Sequence, residues 1–131
     1  MEYTQIKETC LYISNLDTAQ YFYGEVLEMP IISRVENRHI FFRCGSSILL
    51  CFIPEVTQSE TNLPSHFARG KQHIAFEVPA KEYLKTKVEI LKKGIVLTHE
   101  QEWKRGLQSF YFEDPFGKVL EIVPIGIWDK K

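Results

Sequence analysis

No stretch of this sequence stays apolar for long. Its longest uninterrupted run is "ILLCFI", residues 48–53, far below the roughly 20 residues a helix needs to span a bilayer. A membrane is therefore not an expected partner. Neither sign of charge dominates: 16 basic and 17 acidic side chains are scattered along the chain and leave a net charge of −1. Without a basic patch nothing holds a phosphate backbone, which excludes nucleic acid as an expected partner. Cysteine is scarce and unpatterned. Cys10, Cys44 and Cys51 are odd in number and lack the spacing of a metal knuckle, which predicts reduced thiols. The opening "MEYTQIKETC" is charged where a secretory signal would be apolar, so a cytoplasmic protein is the expectation.

What the 131 residues do provide is enough chain for one domain that buries about two-thirds of the surface its unfolded form exposes. Residues 5–14 alternate as a strand does. "NLDTAQYFYGEVL" follows, with Asn15 as a helix cap and Leu16, Ala19, Tyr23 and Val26 or Leu27 at helical spacing. "IISRVE", "HIFFRC" and "SILLCFIP" are short β-rich runs between turn-like pieces, so residues 1–54 predict β-α-β-β-β. Residues 55–70 lack a period and collect polar and breaker residues, as a linker or surface loop does. The same order recurs over residues 71–131. It runs from strand "KQHIAFEV" to helix "AKEYLKTKVEILKK", with Leu84, Val88 and Leu91 on one face and Gly94 as its stop. Strands "IVLTHEQ", "LQSFYFED" and "KVLEIVP" complete it.

The halves also match in register. A shift of 65 lays "IKETCLYI" on "KQHIAFEV" and sets Glu8 on His73; a shift of 70 sets Phe41 on Tyr111, Leu50 on Leu120 and Cys51 on Glu121. Glu121 is the odd member of its strand, since Val119, Leu120, Ile122 and Val123 are all apolar. A carboxylate buried there without a partner costs several kcal/mol or takes up a proton, so it needs a cation, a donor network or water. Alternation puts Glu8 with Cys10 and Tyr12, and His73 with Ala75 and Glu77, on the less apolar face of each strand. Taken singly, a strand glutamate is most often solvent-facing and a strand histidine most often a hydrogen-bonded core residue. At matched places Glu8, His73 and Glu121 together suit a divalent metal, because imidazole and carboxylates serve borderline and hard ions. His39, His66 and His99 have no matched partner and are expected at the surface. Cys51 reads as a small buried hydrophobe.

"IKETCLYISNLDTAQYFYGEVL", "KQHIAFEV" and "SFYFEDPFGKVLEIVP" together resemble the vicinal oxygen chelate superfamily, which takes in glyoxalase I, fosfomycin- and bleomycin-resistance proteins, methylmalonyl-CoA epimerase and extradiol dioxygenases. The resemblance covers nearly the whole chain. It implies an α+β fold of two βαβββ modules whose mixed sheets curl into a cup with helices outside. It also implies a divalent metal held at the positions of Glu8, His73 and Glu121, with a further ligand or base in some members from the strand that here holds Cys51. Two residues depart from the pattern. Glu8 stands where the family places histidine or glutamine, and Cys51 where glyoxalase I places a carboxylate, which removes a candidate base for moving a proton. One histidine with two carboxylates is a harder, more anionic set, which favours Mn, Fe or Mg-like ions over the two-histidine oxygenase site, with the ion one of Mn, Fe, Ni, Zn or Mg.

The function implied is a metal-dependent glyoxalase-type enzyme, a lyase, isomerase or related transferase, whose ion polarises two neighbouring oxygens of a small substrate. Glu121 or Glu8 is the candidate base. Tyr12, Phe41, Arg43, Cys51, Trp103, Arg105 and Tyr111 are candidates for the substrate wall, the arginines suiting a carboxylate or phosphate. The alternative is a metal-free binding protein of the bleomycin-resistance kind, holding a flat or apolar ligand among nine Phe, six Tyr and two Trp. A third reading is an interaction module with a vestigial site. A homodimer is expected, because half-cup modules expose strand edges.

Overall fold

The alternating run near the start forms a strand over its middle only, β1 (Glu8–Tyr12). Asn15 then caps α1 (Leu16–Ala19) as expected, its side-chain oxygen accepting the Thr18 N–H at 2.9 Å. The winding does not stay α. Gln20–Val26 is a π-helix, and the Leu27 N–H donates to the Phe22 carbonyl five residues back, at 2.9 Å. Leu16, Ala19, Phe22 and Tyr23 form its buried side. β2 (Ile31–Val35), β3 (His39–Cys44) and β4 (Ser47–Phe52) follow, then α2 (Pro54–Thr57). The second half gives β5 (His73–Val78), α3 (Tyr83–Lys92), β6 (His99–Glu102), β7 (Gln108–Glu113) and β8 (Val119–Pro124).

The computed structural model describes residues 1–129 and divides the chain into two units, Met1–Gly70 and Lys71–Lys131. Each has its own four-stranded mixed sheet, in the order β1-β4-β3-β2 and β5-β8-β7-β6. In both, the first strand runs parallel to the last and the other neighbours are antiparallel. The fold is α+β. In the first unit Leu11, Cys51 and Ile40 meet in one row across β1, β4 and β3. With Leu49 and Phe42 they make the face that the helical segment covers, where Tyr23 lies 5.7 Å from Phe42. In the second unit Phe110, Phe112, Leu120 and Ile122 play that part, with Tyr83 and Ile90 of α3 buried against them and the Tyr83 and Phe110 rings 5.6 Å apart.

Three expectations change. The segment 55–70 is not a plain linker: it opens within α2, and the Thr57 hydroxyl, wholly buried, donates to the His66 carbonyl at 2.5 Å. Arg38 grips Glu60 from the same segment with two nitrogens, at 2.5 and 2.9 Å. The stripe Leu84, Val88 and Leu91 does share a face of α3, but that face is open, at 67, 48 and 46% exposure. The third concerns the repeat. Arg43 pairs with Ile48 across four intervening residues, whereas Glu113 pairs with Val119 across five. The second turn is one residue longer, so an ungapped shift cannot hold through it. By register, Ala75 and Tyr111 flank Glu121, while Cys10 and Phe41 flank Leu50. Leu50, not Cys51, is the structural counterpart of Glu121.

Candidate functional site

Because β5 and β7 flank β8, one row crosses the second sheet: Ala75, Glu121, Tyr111 and His99. Alternation places their side chains, with those of His73 and Ser109, on the face away from α3. Glu121 is buried there among small and aromatic neighbours. His73 lies one strand over and half exposed, its Nε2 3.2 Å from a Glu121 carboxylate oxygen. The other ring nitrogen, Nδ1, is 2.9 Å from the Val119 carbonyl. A carbonyl oxygen only accepts, so Nδ1 carries the hydrogen and donates. That fixes the tautomer: in the neutral ring Nε2 has a lone pair, and it faces an oxygen that also offers lone pairs. At 3.2 Å the two groups are close enough to share a proton or to bind one divalent ion.

A ligating histidine that donates its remote N–H to a carbonyl is the arrangement that orients imidazole toward a metal. One imidazole and one carboxylate are suitable donors for a divalent ion, so the pair fits the group the sequence pattern implies. Tyr111 reinforces it. Burial, then the neighbouring Glu121 carboxylate, push its phenol up from the ordinary value. Burial, then the carboxylates of Glu100 and Glu121, push Tyr83 up to about 12.

Ser109 and Trp103 extend the arrangement. Ser109 accepts from the Trp103 indole Nε1–H at 2.9 Å. The rings of His73 and Tyr111 stack at 5.9 Å, and His99 lies 5.7 Å from Tyr111 on its other side. His99 is exposed as expected, yet it belongs to this surface. The pattern in the sequence missed Ser109 and His99; the clue for Ser109 was its place two residues before Tyr111 on one strand face, while His99 is brought there by the pairing of β6 with β7.

The remaining candidates are dispersed. Arg105 is exposed and donates to the Gly126 carbonyl at 3.0 Å. Glu8 and Arg43 are exposed in the first unit, each register-paired with Ile48. Tyr12 is half-buried beside them and its hydroxyl bonds to the Cys10 sulfur. Phe41 stacks on His39 at 3.9 Å. Cys51 is wholly buried on the helix-covered face, opposite to Glu8, so it lines no ligand wall on the face that carries Glu8. The structure thus joins His73, Glu121, Tyr111 and Trp103. Among the described residues, no group of three or more His, Cys, Asp and Glu side chains could hold a metal ion.

His39 corrects the expectation of a surface histidine, for it is buried. An Arg38 guanidinium nitrogen donates to its Nδ1, which leaves the hydrogen on Nε2, 3.0 Å from the Ser33 hydroxyl. A histidine in that tautomer cannot take a proton from the serine, so the pair is structural.

Two βαβββ units in one chain define a class of tandem-module α+β proteins, here with a histidine and a glutamate facing each other on one sheet. The family model of the Glyoxalase/Bleomycin resistance protein/Dioxygenase superfamily matches residues 5–122, and the chain belongs to that superfamily. It is similar to the crystal structure of lactoylglutathione lyase from Agrobacterium tumefaciens, with 30% identity, a TM-score of 0.93, and 99% of this chain and 100% of that one covered. A glyoxalase/bleomycin resistance protein/dioxygenase from Nocardioides shares the fold at 18% identity and a TM-score of 0.75, over 100% of this chain and 91% of that one. A glyoxalase/dioxygenase from Nostoc punctiforme does so at 22% identity and 0.67, over 92 and 90%.

Proposed function

We propose that this chain is a metal-dependent glyoxalase-type enzyme, a lyase, isomerase or related transferase acting on a small substrate with two neighbouring oxygens. The observation that carries the reading is the His73–Glu121 pair, two acceptors aimed at one gap with the imidazole oriented from behind. His73 Nε2 and a Glu121 oxygen would hold a divalent ion (Mn, Fe, Ni, Zn or Mg), which when bound supplies Lewis-acid polarisation of substrate oxygens. Similarity to a lactoylglutathione lyase at 30% identity supports the lyase or isomerase reading. Glu121, beside His73 on the same sheet face, is the group to take a proton from substrate. His73, Tyr111 and His99 offer aromatic surface against which a substrate rests. Glu8 is a candidate ligand or base from the sequence pattern, and Glu8→Gln decides its part.

The test is elemental analysis of tag-free protein after reloading with Mn, Ni, Fe or Zn, for wild type, Glu121→Ala, His73→Ala and Glu8→Gln. Stoichiometric metal in wild type and its loss in the first two variants is the expected result. Near-zero metal throughout would end the metal reading. It would leave the metal-free binding protein, which the adjoining His73, Tyr111 and His99 rings favour.

A further inference from the structure

His99 and Gln101 alternate along one face of β6. Gln101 is half-buried and register-paired with Ser109, and both ends of its amide are engaged. The nitrogen lies 3.0 Å from the Glu102 carbonyl and the oxygen 2.9 Å from His99 Nε2. Chemistry forces both directions. A carbonyl only accepts, so the amide group at Glu102 is the NH₂; the amide oxygen only accepts as well, so His99 Nε2 carries the hydrogen. In the neutral ring Nδ1 is then a lone pair, and no described residue hydrogen-bonds to it. His73 is the reverse, with its hydrogen on Nδ1 and its lone pair on Nε2. Two imidazoles of opposite tautomer therefore stand on the two sides of Tyr111. The lone pair of His73 faces Glu121, and that of His99 is unengaged.

We infer that His99 is a substrate-contacting residue, a fixed acceptor whose Nδ1 takes a hydrogen bond from an O–H or N–H of the substrate, and that Gln101 is the positioning residue that holds its tautomer. This rests on the reading of the His73–Glu121 pair as the place where neighbouring substrate oxygens are held, and it names the class of substrate. Glu121 and His99 share a row across β8, β7 and β6, two strand spacings or roughly 10 Å apart at the backbone. The substrate therefore lies across Tyr111 and carries a donor at the end remote from its paired oxygens. A molecule with only an ether or a carbonyl at that end meets a lone pair with a lone pair. The partner of one ring nitrogen settles the state of the other, and the Gln101 amide does for His99 what the Val119 carbonyl does for His73.

The tautomer is read first, in metal-free protein with ¹⁵N-labelled histidine. At a pH where the ring is neutral, long-range ¹H–¹⁵N spectra are expected to place the His99 hydrogen on Nε2 alone in wild type and to show both tautomers in Gln101→Leu. A wild-type hydrogen on Nδ1, or a Gln101→Leu spectrum identical with that of wild type, overturns the inference. The second arm uses protein reloaded with Zn²⁺ and two probes with the same chelating oxygens, para-hydroxybenzohydroxamate and para-methoxybenzohydroxamate, which differ in having a donor at the far end. Wild type is expected to bind the hydroxy probe about fivefold more tightly. His99→Phe, which keeps a ring and removes the acceptor, should bind both probes and lose the preference. Gln101→Leu should lose part of the preference at unchanged affinity for the methoxy probe, which a role in packing alone would not produce. Equal preference in wild type and His99→Phe overturns the inference. A wild type that takes up no Zn²⁺ removes the metal reading alone. The probes are then compared on metal-free protein, where a preference for the hydroxy probe that His99→Phe abolishes supports the acceptor, and its absence overturns it.

Discussion

His39 sits within β3 with both ring nitrogens engaged, and a second N–H on it would face the Arg38 guanidinium, which has no lone pair to receive one. Burial, then the Arg38 charge, hold its pKa below the ordinary 6.5, while Glu60 pulls the other way. The folded protein therefore binds this proton less readily than the unfolded chain. Its contribution to stability is complete above pH 6.5 and is lost as the pH falls from there toward the folded-state value. The melting temperature of the wild type is expected to drop between about pH 7.5 and about 5.5, and His39→Gln, which supplies an acceptor and a donor without titrating, should drop less. Parallel curves for the two proteins would refute this. His39 and Glu121 also differ in what a single position can reveal. Glu121 was legible because every neighbour in its strand is apolar, and the cost of burying it points to a partner whatever the tertiary structure. His39 was not, since nothing in "HIFFRC" distinguishes a histidine facing Ser33 from one facing water.

Turn length, more than strand composition, decides which side of β8 carries Glu121. The five residues Asp114–Lys118 close on themselves: a single Asp114 carboxylate oxygen accepts the N–H groups of Phe116 and Lys118, both at 2.8 Å, and Gly117 takes φ 78°. Asp114 is buried, so Asp114→Ala strands two donors and should destabilise by about 2 kcal/mol or more. Gly117→Ala meets open space but an unfavourable φ, and should cost about 1 kcal/mol. Urea unfolding measures both, and an Asp114→Ala midpoint equal to that of wild type would contradict the first. The motif "DPFG" announced a turn, and its extra residue was hidden because an ungapped shift matches Phe41 with Tyr111 and Leu50 with Leu120 equally well. The face of α3 was hidden for a related reason. Periodicity finds Leu84, Val88 and Leu91, but Tyr83 and Ile90 are also spaced to share a face, and only packing against Phe110 says which stripe is covered. Leu84→Gln and Val88→Gln should therefore shift stability by no more than about 0.5 kcal/mol, while Ile90→Ala costs about 2–5 kcal/mol.

At the scale of the whole chain, the recurrence of one element order was the most legible feature, because it appears twice and each copy tests the other. What the recurrence could not give is where apolar surface remains uncovered. β2 ends the first sheet, and Ile31, Ile32 and Val35 along it are nearly half exposed. An edge strand with unpaired backbone groups and apolar side chains is a surface that proteins pair or protect, and neither a proline nor a lysine lies in β2 to blunt it. The open Leu84, Val88 and Leu91 stripe adds apolar area in the second unit. Self-association is the commonest way to cover such surface, and a two-fold pair is its commonest form. A homodimer is therefore the expected state at micromolar concentration, read as the mass of two chains in sedimentation equilibrium. Its melting temperature should rise with protein concentration, because dimerisation stabilises by mass action. Ile32→Lys places a charge on the exposed edge at little cost to a monomer and should shift the equilibrium toward single chains. A one-chain mass at every concentration, with a melting temperature that does not move on dilution, would show that these surfaces are tolerated in water and that the pairing expectation is wrong.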